Sequence, residues 1–288
     1  MKEANNVVEV SGILAEMDAK TGTSKEGKEY ISINLVIKSK NDYNGVLVDT
    51  DIPVQMFSMK LKKDGTPNQI YQRLVDVKDN FTSLAAVDGD MSAADFVKVG
   101  GARIGENIYL DQTGRVREIT RITANFLNKG SEMKDGYHAN FSLTIVVNNL
   151  KDEIKNNTPT GRLIVQGIIP RFGNAVDVRD FIVEDKMAIQ HIKTYWNKGD
   201  TVNIAGKIMY TSKSITVCES LGIGEPIEHV RTVTERDLII TSCSERGLEP
   251  PMAYDAAEIK AAIADREARK QKIAETRKAP EPVEKFTW

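Results

Sequence analysis

Aromatic rings and cations recur together along the alternating stretches of this chain. In the first half, Tyr30 and Lys38 fall on the polar side of a run whose other side is Ile31, Ile33, Leu35 and Ile37. Phe57 shares the side of Gln55, opposite Val54 and Met56, with Lys60 just beyond; Arg103 and Tyr109 flank a later hairpin. The second half offers Arg162, Arg171 and Phe172, then Lys207, Tyr210 and Lys213. A flat ring gives a base a face to stack on, and a lysine or arginine beside it neutralises a phosphate. Non-specific binding of a single nucleic-acid strand needs this pairing, at ~1–3 kcal/mol per stacked base. Phe286 and Trp288 stand apart, two rings on a stretch with no core to join. They are candidates for capture by a partner or for docking in the chain's own groove.

Other chemistries lack their residues. His138, His191 and His229 are scattered without metal-ligand spacing, so neither a metal nor a cofactor is expected. Gly100, Gly101 and Gly105 lack the lysine of a phosphate-cradling loop. The carboxylates are numerous but surface-like, with no pair placed for acid–base work. No enzyme is expected, and a metal-dependent nuclease built from dispersed Asp and Glu is the residual reading. A formal net charge of −2 requires any anion-binding surface to be local. Cys218 and Cys243 are the only cysteines in 288 residues, which points to a reducing compartment. The polar start, Met1 to Asn6, lacks an apolar signal core, and no apolar run approaches the ~20 residues of a membrane helix. The expectation is a cytoplasmic protein, in the host cytoplasm if phage-encoded, without a membrane partner.

The elements that must position these side chains repeat. Ile31 to Ile37 and Phe141 to Val147 both alternate apolar and polar residues, the pattern of a strand with one buried face. Each follows a polar, glycine-containing turn (21–27 and 128–136), and before the turns lie Val7 to Leu14 and Ile119 to Leu127. Both halves are therefore read as opening with a long hairpin. Val54-Gln55-Met56 and Val165-Gln166-Gly167 read as third strands, Val97 to Gly101 and Val202 to Gly206 as fourth strands. Ile108 to Leu110 and Ile215 to Cys218 read as fifth strands, with Val116–Ile119 and Val230–Val233 leading into late ones. Between strands three and four, Thr66 reads as the N-cap of one helix, with Pro67 at its first position, Gln69 as the capping-box partner, and Ile70, Leu74 and Val77 at helical spacing. Ala188, Ile192 and Tyr195 mark the other, with Gly199 as its stop. The order β-β-β-α-β-β, twice over, predicts a mainly β protein with two OB-fold-like five-stranded barrels in tandem. The expected domains are 1–120 and 121–250, then a largely polar, solvent-exposed C-terminal helix at 251–279 and a flexible tail at 280–288.

The segment from Ile192 to Ile208 carries a Lys198-Gly199 turn after a helix and a Val202-x-Ile204-x-Gly206 strand. It resembles the single-stranded DNA-binding proteins of bacteria and phages, and Asp95 to Ile104 is a degraded version of it. The resemblance implies single-stranded DNA as partner, in replication or recombination, and a tail that recruits other proteins of that machinery. In that family the tail is typically acidic, whereas here it has mixed charge and ends Phe286-Thr287-Trp288. Tyr195 and Trp196 read either as a stacking platform or as a pin holding the helix on its barrel. The competing reading, favoured by the near-neutral charge, is an OB-fold or β-sandwich protein-interaction or viral assembly module without nucleic-acid binding.

Overall fold

The computed structural model describes residues 1–43, 45–219 and 227–275, with the backbone alone for 213–219 and 227–233. Alternation sets the strands as the sequence predicts. In β2 (Glu29–Tyr43), Ile31, Ile33, Leu35 and Ile37 are buried while Ser32, Asn34, Val36 and Lys38 face outward. β2 pairs on one edge with β1 (Asn6–Thr23) and on the other with β3 (Val46–Met59). After helix α1 (Gln69–Asn80), β4 (Phe96–Gly100) and β5 (Arg103–Leu110) form one broken strand, and β4 pairs with β1. β6 (Val116–Ala124) returns along β5 and closes the ring parallel to β3 at Val54–Ile122.

A short strand β7 (Phe126–Lys129) and a turn of helix α2 (Glu132–Asp135) follow. The second ring is formed by β8 (His138–Lys155), β9 (Thr158–Arg171), β10 (Ala175–Val183), β11 (Thr201–Glu219) and β12 (Ile227–Cys243), with α3 (Lys186–Tyr195) between β10 and β11. β8 pairs with β9 and β11, β9 with β10, β11 with β12, and β12 closes parallel to β10 at Ile182–Ile239. Each ring is the five-stranded OB barrel with its helix between strands three and four.

Several strand assignments shift by one. Ile31–Ile37 lies in the second strand of its barrel, but Phe141–Val147 lies in the first strand of the other. Ile119 to Ala124 belongs to β6, which closes the first barrel, so the second hairpin is β8–β9 and Val165-Gln166-Gly167 sits in its second strand. Ile108–Leu110 and Ile215–Cys218 extend the fourth strands, and the fifth strands are β6 and β12. Alternation marks a strand with one buried face but not its place in the ring, since every barrel strand carries that pattern.

Two glycines let the strands bend. A Cβ on Gly206 would lie 1.9 Å from the Ile239 carbonyl oxygen, at the register shift in β11 after Ala205. Gly12, where β1 passes from one neighbour to the next, would place a Cβ 2.2 Å from the Lys38 carbonyl oxygen. Only glycine admits such close backbone approach.

The barrels share a sheet and a core. The start of β1 pairs with β8 from Asn6–Leu143 to Ser11–His138. The tip of the β2–β3 hairpin lies on β11. There the buried Asn41 amide donates to the carbonyls of Ala139 (2.8 Å) and Ile208 (3.0 Å), and Thr50 Oγ1 accepts from Tyr210 N at 2.8 Å. One apolar cluster runs from Leu14, Ile33 and Ile37 through to Phe141, Phe181 and Ile208.

The helices carry two further corrections. Asn68, not Thr66, caps α1, its side chain accepting from Ile70 N at 3.1 Å. Helix α4 (Ala256–Glu275), capped by Asp255, is largely solvent-exposed as expected but is docked along one narrow stripe. Ile259, Ala262 and Arg266 are buried, and Arg266 pairs with Glu106 of β5 and Glu118 of β6. A helix with a narrow apolar stripe looks exposed by pattern, but ion pairs with the first barrel and apolar contacts with the second hold it down. Among the described residues, no helix is long and apolar enough to cross a membrane.

Candidate nucleic-acid interface

The β2–β3 register decides which predicted site residues meet. Tyr30 lies opposite Met59 and Ser32 opposite Phe57, so Tyr30 and Phe57 are diagonal neighbours on the outer face. Their ring centroids are 5.6 Å apart at 32°, and Phe57 is 52% exposed. Lys60 follows at the end of β3, paired with Glu29. Lys38 is on the same face but nearer the hairpin tip, 3.9 Å from Asp49. Between these ends the face opens into a cleft of about 810 Å³ lined by Asn34, Gln55, Ile119, Arg121 and Arg236.

The β5–β6 hairpin forms the other wall. Ile104 and Ile122 point inward, which puts Arg103, Gly105, Asn107 and Tyr109 of β5 on one outer row with Arg117, Ile119 and Arg121 of β6. Arg117 is held by Asp111 at 2.8 Å. Arg121 has no ion pair among the described residues. Tyr109 (39%) and Ile119 (36%) present apolar surface to solvent on the same row.

A second cleft, of about 520 Å³, lies where the barrels meet, and it gathers Arg103, Arg121, Arg171 and Phe172. Phe172 sits in the β9–β10 turn before Gly173 and is 85% exposed, so its ring face is free for stacking. Arg103 is 2.6 Å from Glu3 and Arg171 is 3.1 Å from Asp177. Burial pushes the Asp177 carboxyl above the usual carboxylate range, against the opposing pull of Arg171. Arg121 of the outer row lines both clefts.

The remaining expected residues of the second half are placed differently. Arg162 is a correction. It is held by Glu153 (2.8 Å), Glu184 (3.0 Å) and Asp237 (2.9 Å) and has little free surface. Burial alone would disfavour its charge, but hydrogen bonds with Glu153 and Asp237 keep it firmly protonated. Tyr210 is a second correction. Only 3% exposed, it has no face to offer a base, and burial pushes its phenol up to about 12. Lys207 Nζ donates to the Asp42 carbonyl at 2.6 Å, tying the β2–β3 tip to β11. Lys213 is placed by its backbone opposite Val233, and its side chain lies outside the described residues, as do Phe286 and Trp288. Trp196 is buried, with its indole N–H donating to the Ser244 carbonyl at 3.2 Å, so it pins α3 to the barrel.

Sequence reasoning missed Arg121, Ile119 and Arg236. The alternation Arg117-x-Ile119-x-Arg121 is readable, but the run from Arg117 to Leu127 reads both as closing the first barrel and as opening the second, so its neighbours Asn34 and Gln55 are not identified by pattern.

Comparison with known proteins agrees with the barrel topology. The family model YorF matches residues 4–278. No curated protein matches. The solved wild-type single-stranded DNA binding protein of Thermus aquaticus is similar with a TM-score of 0.53 at 11% identity, over 89% of this chain and 99% of that one. A deletion mutant of the same protein gives 0.51 at 13% identity, over 87% and 99%. At such identities the likeness concerns the fold.

Proposed function

The chain belongs to the YorF family, and on its tandem OB scaffold we propose that it binds single-stranded DNA without sequence specificity, protecting it in replication or recombination. The observation that carries this reading is the pair of clefts that share Arg121, with exposed Phe172 lining the second. Exposed Phe57 and Tyr109 stand two residues along their strands from Gln55 and Asn107 of the first. Cations that track a backbone, with rings spaced between them, are what a single strand needs. The Thermus neighbours, single-stranded DNA binding proteins, add support by analogy. A cytoplasmic setting, a phage origin and recruitment of replication proteins by Phe286 and Trp288 belong to the same proposal.

A labelled oligothymidylate and a duplex of equal length, titrated at low and moderate salt, test it. Binding of the single strand should be tighter and should weaken as salt rises, because phosphate neutralisation releases counterions. Equal affinity for both, or indifference to salt, would contradict the proposal. One observation favours a protein-interaction module instead: Lys20, Lys38, Lys60, Arg103 and Arg171 each already face a carboxylate. Absence of oligonucleotide binding at low salt would select that reading.

A further inference from the structure

The two barrels share a fold but present different outer faces. In the second barrel, the face formed by β8, β9 and β10 carries the row Val146–Ile168–Val178 and, beside it, Val176. Helix α4 lies on these residues, with Ile259 and Ala262 buried against Val146, Ile168 and Val176. The helix is fastened from the far side by Arg266 to Glu106 and Glu118, and by Lys270 to Glu118.

The part of that face beyond the helix is occupied by its own polar groups. Asn148 donates to Gln166 at 2.7 Å, and Gln166 donates to Asp180 at 3.0 Å. Lys151 lies 3.6 Å from Asp180, Lys155 lies 3.1 Å from Glu235, and Arg162 is surrounded by carboxylates. A phosphate arriving there would have to displace a carboxylate at each cation. On the first barrel Lys38, Lys60, Arg103 and Arg117 are paired as well. Among the described residues, however, no helix covers the face, and Arg121 lines its cleft without an ion pair.

We infer that each chain holds a single continuous DNA path, along the outer face of the first barrel and the junction cleft, while the equivalent face of the second barrel is closed by α4 and its ion pairs. This rests on the proposed single-stranded DNA binding. The second barrel then contributes to the path only through Arg171, Phe172 and Arg236, at the edge it shares with the first.

Calorimetric titration of the full chain with an oligothymidylate of about ten nucleotides, within the ~4–16 that one OB fold covers, tests the inference. One oligonucleotide per chain is expected. Arg121→Ala should weaken binding about tenfold, the scale of one lost contact to the strand, while Lys151→Ala and Gln166→Ala stay within about twofold of the parent. Thermal melts of all three variants check that the fold is intact. Two oligonucleotides per chain, or a loss from Lys151→Ala equal to that from Arg121→Ala, would overturn the inference while leaving DNA binding standing. No binding to any oligonucleotide would instead overturn the function reading, and the inference with it.

Discussion

Two arginines of the same type, Arg121 and Arg162, have opposite roles because of what surrounds them. Arg121 is half-buried but lines two clefts and has no ion pair among the described residues, so its charge is available to an incoming phosphate. Its replacement by alanine should flatten the plot of log affinity against log salt by about 0.7, the share of one phosphate contact on a single strand. Arg162 is committed to Glu153, Glu184 and Asp237. Arg162→Ala leaves those carboxylates facing one another and should cost about 2 kcal/mol of stability in a urea melt. DNA affinity per folded molecule should not change, and a selective loss of affinity with unchanged stability would show that Arg162 meets the strand. Phe172 gives the complementary case. Exposed and making no core contact, it should yield at Phe172→Ala a loss of about 1–3 kcal/mol in binding to single strands, with no more than a degree or two of change in melting temperature.

Among the elements, β11 and α4 depend most on single positions. Gly206 lets β11 bend where it passes from β8 to β12, and any Cβ there meets the Ile239 carbonyl. Gly206→Ala should destabilise by about 2–3 kcal/mol, read as a lower urea midpoint at unchanged slope. Helix α4 should respond to acid. Burial alone would raise the Glu118 carboxyl, but hydrogen bonds from Lys270 and Arg266 outweigh it and hold it at about 2, below its ordinary 4.5. A carboxylate depressed in the folded state adds stability that is fully present above 4.5 and is lost as pH falls toward 2. The docking of α4 should therefore weaken across that window, seen as faster amide exchange in residues 256–275. Glu118→Gln should abolish most of the pH response there, and an unchanged response would move the cause to another carboxylate.

For the whole molecule, the shared sheet and core set the cooperativity. The β1–β8 pairing and the apolar cluster common to both barrels mean that neither barrel buries its surface alone. A single unfolding transition, with tryptophan fluorescence and far-ultraviolet dichroism coinciding, is expected. Two separated transitions would instead mark the barrels as independent units.

Local pattern was enough for the strand content, the two helices between third and fourth strands, and the duplication of a barrel. Alternation at Ile31–Ile37 and helical spacing at Ile70, Leu74 and Val77 are short-range consequences of one face meeting a core. The same pattern placed Tyr30 and Phe57 on the outer face of their strands, because outward positions follow from a period of two. Ring order was not available, since all barrel strands share that period, and so the run from Arg117 to Leu127 could not be divided between the closing strand of one barrel and the opening strand of the other. Nor could spacing reveal that Arg162 would meet Glu184 and Asp237, or that Tyr210 would lie beneath the β2–β3 tip. The polar helix α4 shows the reason most clearly. Its apolar stripe is too narrow to predict burial, and its place is decided by Glu106, Glu118 and Val146, residues more than a hundred positions away that only the closed barrels bring beneath it.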